Sequence, residues 1–356
     1  MLTETIQPAS NSPGVDGTPR SGPARSRQGF RAPQRRFRVL ERWLERVLFL
    51  EHGANLFPLL HVALYYVVLG LLVFRCVTTP WLVVPMWVGM CLLNYSLSIG
   101  ILHLHAHRKI FTRATPNRIL EALLCIPCGL SYPVMLYVHV YLHHRFEDGP
   151  RDPTSTKGRE RGLRAVAYWL RYPYVCHRAT IPGLFGRNAS AAWRRLRLQY
   201  LFDTSLVLLV ATIYGLLDLQ GMLLFYIIPL LLVSINIGFF AWLTHAPAHE
   251  GPVNGSINTT NNWMNLLIHN QGYHAVHHRY PSLHWTMLPD ELGMMESVDD
   301  ELIVPYWVTL PNALRILIPG WFRNPRHGRK WKDDYKARVK AGRHRLSFLP
   351  YFGWIR

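Results

Sequence analysis

The sequence predicts an all-α integral membrane protein, with four transmembrane helices in two hairpins and a cytoplasmic, histidine-rich helical cap. Three observations lead there. Hydrophobic residues make up 49% of the 356 and charged residues only 17%, a low charged share for a soluble protein of this size. The apolar letters gather into two close pairs of runs, each near the ~20 residues a helix needs to cross a bilayer. The formal charge of +18 lies mostly outside those pairs, so the positive-inside rule puts both termini and the long middle segment in the cytoplasm.

In chain order, residues 1–37 are rich in Pro, Ser, Gly and Arg without periodicity and read as a disordered basic arm. No apolar core of a signal peptide is expected there. VLERWLERVLFLEHG (39–53) mixes apolar and charged letters at helical spacing and suits an interfacial amphipathic helix. The first pair of runs is PLLHVALYYVVLGLLVF (58–74) and WLVVPMWVGMCLLNYSLSIGIL (81–102), with Arg75 the only charge between them. The second is YLFDTSLVLLVATIYGLLDL (200–219) and GMLLFYIIPLLLVSINIGFFAWL (221–243), with Asp203 and Asp218 near the ends of its first member.

Between the pairs, ILEALLCIPCGLSYPVMLYV (119–138) is apolar but carries Glu121 and is broken by Pro127, Gly129 and Pro133. A full crossing there would divide the histidines between two sides of the membrane, so an interfacial or re-entrant segment is expected. RGLRAVAYWLRYPYV (161–175) is a second membrane-lying candidate. The membrane domain is expected over 38–295, and a basic cytoplasmic segment over 296–356. The basic excess implies attraction to an anionic membrane surface and to acidic partners. No recognition motif accompanies the charge, so nucleic acid is not an expected partner. The five cysteines lie mostly in apolar runs, and the lone CxxC of Cys125 and Cys128 reads as packing.

Most of the 18 histidines fall into four groups. They are HLHAH with His103 and His107, HVYLHH with His139, His143 and His144, THAPAH with His245 and His249, and HNQGYHAVHH with His269, His274, His277 and His278. On a helix, residues four apart stand on one face, which pairs His103 with His107, His139 with His143 and His274 with His278. The adjacent His144 and His277 can reach a second ion or the other flank of the first. Neutral imidazole suits iron, copper, zinc and nickel, and so many ligands are too numerous for one ion but fit two. The first and third groups begin where the second and fourth apolar runs end, so in the two-hairpin topology all four converge on one membrane face. His52, His61, His105, His177, His284, His327 and His344 read as structural or surface residues.

HxxxH, a doubled-histidine box and then HAVHH after a second apolar pair resemble the membrane fatty acid desaturase superfamily, over residues 40–290. HHRFEDGPRDP resembles the segment that follows the second box, and WLTH resembles the site of one further histidine. The second box departs from many desaturases. Three residues separate His139 from His143, as in hydroxylase-type HxxxHH boxes. The resemblance implies a non-haem di-iron centre that uses O2 and external electrons to attack an unactivated C–H bond. It implies a lipid or fatty acyl substrate from the bilayer and a ferredoxin, rubredoxin or cytochrome b5 type donor. Asp148, Asp152, His269 and Asn270 are candidates for the shell around the ligands, and Glu147, Glu250 and Asn236 are further ones. Desaturation of a fatty acyl chain is the leading expectation. Hydroxylation or ketolation of a lipid, carotenoid or alkane, and oxidative decarboxylation of a fatty acid to a terminal alkene, are the alternatives. A metal transporter or membrane scaffold is the non-enzyme reading. The expected location is a bacterial cytoplasmic membrane, with both termini and the active site cytoplasmic.

Overall fold

The computed structural model describes residues 35–187, 189–249, 254–306 and 325–340. The N-terminal arm expected over 1–37 and parts of the segment expected over 296–356 lie outside them. Among the described residues the chain is almost wholly helical. The first helix, α1 (Arg35–Val47), leaves Trp43 and Val47 exposed, as an interfacial helix would. Leu50 then bridges to Phe111, and Glu51 pairs with Arg108, which ties the end of this segment to the region after the first histidines.

Among the described residues, four helices are long and apolar enough to cross a membrane. They are α2 (Leu56–Val73), α3 (Pro80–His107), α7 (Ala191–Leu217) and α8 (Leu219–His245). Their outer surfaces explain why the chain needs lipid. On α7, Leu198, Leu216 and Leu217 are each more than three-quarters exposed, and leaving such a side chain in water forfeits ~1.5–3 kcal/mol of burial. Arg75, after α2, reaches Asp218, between α7 and α8, at 2.9 Å. That contact joins the two linkers at the end of the bundle away from the histidines.

Between these spans, α4 (Ala114–Cys128) and α5 (Tyr132–Phe146) meet at 89°. The chain turns at Gly129, whose φ of 64° is open to a residue without Cβ. This is the broken apolar segment expected between the two pairs. One charge inside it is answered from α7, where buried Asp203 accepts from Arg118 of α4. The helix α6 (Gly162–Phe185) runs beyond its amphipathic sequence signal and lies along α8. Trp169 packs against Phe239 and Trp242 at 5.1 and 5.3 Å, and the Trp242 indole donates to the Arg159 carbonyl.

The remaining described chain forms a cap with its own small core. It contains α9 (Asn262–Leu267), α10 (His274–Arg279), α11 (Leu288–Met294) and α12 (Pro325–Lys340). Tyr273, Val276, Trp285, Leu292, Ile303 and Trp331 are buried together. The all-α expectation has one exception here. β1 (Asn258–Thr259) and β2 (Ile303–Val304) pair in parallel. The two-residue ladder satisfies backbone groups beside α10 that the cap has made inaccessible to water, and it is too short to leave a pattern in the sequence.

Candidate metal centre

The last turns of α3 and α8, the bent helix α5 and the short helix α10 bring nine histidines together in two groups. His103, His107, His139, His144 and His277 form the first; His143, His245, His274 and His278 form the second. Within each group the ring nitrogens lie within 4.8 Å of one another.

Local winding decides which histidine goes where. The segments Ser96–Leu102 and Met135–His143 are π-helical, a wider turn that is frequent at functional sites. The wide turn of α5 explains why His139 and His143, although their rings stand side by side at 5.3 Å, serve different groups. Instead His139 shares its group with His144, Nε2 to Nε2 at 3.1 Å. The two adjacent pairs, His143–His144 and His277–His278, are each divided between the groups. His144 stacks on His278 at 4.4 Å, so the groups abut.

The nitrogen geometry fits bound cations. His103 and His277 stand Nε2 to Nε2 at 2.9 Å, His144 and His277 at 3.0 Å, His245 and His274 at 3.1 Å, and His274 and His278 at 3.2 Å. Such distances are met by an N–H donating to a neighbouring lone pair, and equally by two lone pairs turned onto one cation. Ligands at right angles about one ion, with metal–nitrogen bonds of ~2.1 Å, would be about 3.0 Å apart. Among the described residues His107 Nε2 is buried without a hydrogen-bond partner, which suits a nitrogen that ligates a cation. Burial first, and neighbouring imidazoles second, push His274, His277 and His278 well below the usual histidine range. They are therefore neutral at pH 7, the state a metal requires.

Two rings are oriented from behind. His143 Nδ1 donates to Asp152 Oδ2 at 2.6 Å, and His245 Nδ1 donates to the Gly255 carbonyl at 2.9 Å. Both leave Nε2 as the lone-pair nitrogen. Burial alone would raise the Asp152 carboxyl, but the bonds from His143 and Thr154 outweigh it and hold it at about 2.

Other sequence candidates stand elsewhere. His249, one of the ten expected ligands, lies outside both groups and pairs with Glu301 at 2.6 Å. Helix α8 ends at His245, so the THAPAH spacing does not carry His249 to the same face. Asp148 folds the loop, accepting from Thr156, and touches no ligand ring directly. His269 sits against Phe57, His61 and Trp285, outside both groups, and Asn270 donates to the Trp285 carbonyl. Glu147 lines a polar cleft that reaches His245 and His278. Asn236 is exposed on α8, and Glu250 lies outside the described residues.

One buried pairing was left open by the sequence. His105, read as structural or surface, is fully buried and bonds Glu121 at 3.0 Å, which also accepts from Lys109 and from Gln199 of α7. The signal was Glu121, an acid inside an apolar run. Reasoning also left unnamed the walls of an apolar cavity under both groups. Ile99, Met135, Tyr168, Tyr172, Phe240 and Ala241 line it together with His103, His139, His143, His245 and His274.

Comparison with known proteins places this arrangement. The profile of the family "Fatty acid desaturase" matches residues 79–310, well over half of the chain. The protein belongs to the fatty acid desaturase family. A β-carotene ketolase from Paracoccus sp. is 27% identical over 207 residues, covering 54% of this chain and 74% of the ketolase. No solved structure matches. The family is one of non-haem iron enzymes, and the two histidine groups of this desaturase-family chain can hold metal. Membership supports an oxidoreductase, and favours that over the transporter and scaffold readings.

Proposed function

We propose that this protein is an O2-dependent di-iron oxidase that desaturates a fatty acyl chain drawn from the bilayer. The observation that carries the reading is an apolar cavity bordered by both histidine groups. A methylene chain lying there would present its C–H bonds to both. Two irons, one per group, would supply O2 activation and hydrogen abstraction when bound. The balanced change is –CH2–CH2– plus O2, two electrons and two protons, giving –CH=CH– and two waters.

The chain's own residues do the rest. Tyr168, Tyr172 and Phe240 wall the cavity and exclude water. Asp152 and the Gly255 carbonyl hold the rings of His143 and His245 in place. Electrons come from an external carrier of ferredoxin, rubredoxin or cytochrome b5 type. The spans form two hairpins, and the histidines and both termini face the cytoplasm.

A second reading, oxygen insertion by hydroxylation or ketolation, is favoured by two observations. The second box has three residues between His139 and His143, and a curated relative is named a β-carotene ketolase. Lipid and hydrocarbon profiling of cells expressing wild type or His278→Ala tests both. A new double bond that needs His278 supports desaturation. A hydroxyl or keto group gives the second reading, and a chain-shortened terminal alkene would mean decarboxylation. Identical profiles from iron-replete cells would refute all three.

A further inference from the structure

Residues 161–202 contain eight arginines, no lysine and no acidic residue. They span α6, the turn after it and the first turns of α7. We infer that the outer face of α6 binds the phosphate headgroups of anionic phospholipids. The inference rests on the chain crossing a bilayer and not on the reaction it catalyses.

The placement is regular. Arg164, Arg171 and Arg178 are seven residues apart and all exposed. That spacing puts them on one helix face, about 10 Å from one to the next. Among the described residues none of the three has a hydrogen bond, ion pair or ring contact, and none is among those with an unprinted one. The inward side is buried through Ala165, Tyr168, Tyr172, Cys176 and Leu184, and the arginines stand between it and the outermost stripe. This helix is therefore fixed to the protein on one side and leaves its charges unanswered on the other.

The outer face is also apolar. Leu163, Leu170 and Tyr174 are 87, 58 and 63% exposed, and Ile181 stands among them. A soluble acidic protein would match the arginines but leave these side chains wet. A bilayer surface matches both, with apolar side chains at the acyl boundary and guanidinium groups among the phosphates. Exclusive use of arginine fits phosphate, which its planar fork grips with two bonds. The neighbouring α7 enters the membrane directly, so the face continues a lipid-covered surface.

The test uses the purified full chain, titrated with phosphatidylglycerol or phosphatidylcholine and read by native mass spectrometry. Wild type is expected to prefer phosphatidylglycerol. Each arginine near an anionic surface contributes about fivefold, so R164Q/R171Q/R178Q should weaken phosphatidylglycerol binding by about a hundredfold and leave phosphatidylcholine unchanged. R164K/R171K/R178K, which keeps the charge, should retain most of the preference. The inference is overturned if the glutamine variant keeps the wild-type preference, or if the lysine variant loses as much as the glutamine one. It is also overturned if the glutamine variant loses binding of an acidic ferredoxin while its lipid preference persists, because the face would then be a protein dock.

Discussion

Replacing Asp152 with asparagine should weaken metal binding by the second histidine group without moving a backbone atom. The reason lies in what surrounds the carboxylate. Oδ2 accepts from His143 Nδ1 and from the Asp148 N–H, at 2.6 and 3.1 Å, and Oδ1 accepts from the Thr154 N–H and hydroxyl, at 2.8 and 2.7 Å. An asparagine amide offers one oxygen and an NH2 group. Whichever way it turns, NH2 faces an N–H. If the oxygen stays on His143, the buried Thr154 N–H loses its acceptor, at ~1–3 kcal/mol, and the bond to His143 falls from charged to neutral strength, a further ~1 kcal/mol. The sum of about 2–4 kcal/mol overlaps the upper part of the ~10–100-fold loss in metal affinity (about 1.4–2.7 kcal/mol) usual for such supports. The assay is iron per protein by elemental analysis after equilibration with graded chelator, on wild type and Asp152→Asn.

The pH dependence sharpens this test. The Asp152 carboxyl, held at about 2 against an ordinary 3.8, contributes stability that is full above the ordinary value and lost only as pH falls towards 2. The Asp152→Asn deficit should therefore be constant from roughly pH 5.5 to 8. Affinity within twofold of wild type would refute the reasoning, and so would a deficit that disappears at the acid end of that range.

The other predictions concern the ligand set and its frame. His278→Ala should cut bound iron sharply, whereas His249→Ala, paired with Glu301 outside both groups, should keep wild-type iron. Equal losses in elemental analysis would reverse that assignment. Gly100→Ala should destabilise by about 1–3 kcal/mol, because its Cβ would lie 2.6 Å from His269 Nδ1 and 3.3 Å from the Ile268 backbone. The measurement is thermal unfolding, and an unchanged Tm would show that His269 can move aside. Metal-free protein should lose thermal stability as pH falls from about 7 to 5.5, since His274, His277 and His278 stay neutral when folded but take up protons when unfolded. Bound metal should flatten that slope, and a flat profile without metal would contradict the burial argument.

What the sequence made legible follows from which forces are local. The four spans are visible because crossing a bilayer requires a long apolar run, and the bend at Gly129 because proline and glycine break one. Four-residue spacing placed His103 beside His107 and His274 beside His278, and the rings stand so at 5.3 and 4.7 Å, because those segments wind as ordinary helix. His139 and His143 also stand side by side, at 5.3 Å, but the spacing did not tell that π-helical winding would divide them between the two groups. Nothing in the letters MLYVHVYLH announces that winding, since it is set by packing between α5 and its neighbours. Pro247 makes regular helix at THAPAH doubtful, so the choice between His245 and His249 stays open in the sequence, as does the place of His269. Their positions depend on where α8 ends and on two consecutive left-handed residues, His269 and Asn270, and both features are fixed by tertiary contacts. Asp152 and Asp148 looked alike in EDGPRDP, and only the folded loop shows which one faces a ring.

The division of the doubled histidines bears on how one ligand frame can serve several reactions. His143 and His144 are one peptide apart, as are His277 and His278, yet each pair sends one ring to each group. Consecutive Cα atoms are fixed at 3.8 Å, so two covalent steps set the separation of the groups. The bond from Asp152, the stack of His144 on His278 and the buried cap around α10 then hold it. A frame locked in this way cannot adjust its spacing to favour losing a second hydrogen over gaining an oxygen. The adjustable part is the cavity wall, where Ile99, Met135, Tyr172 and Ala241 touch whatever lies beneath both groups. The histidine spacing alone therefore reads equally well for desaturation and for oxygen insertion, and on the proposed reading the side chains of the cavity wall are where the two would be told apart.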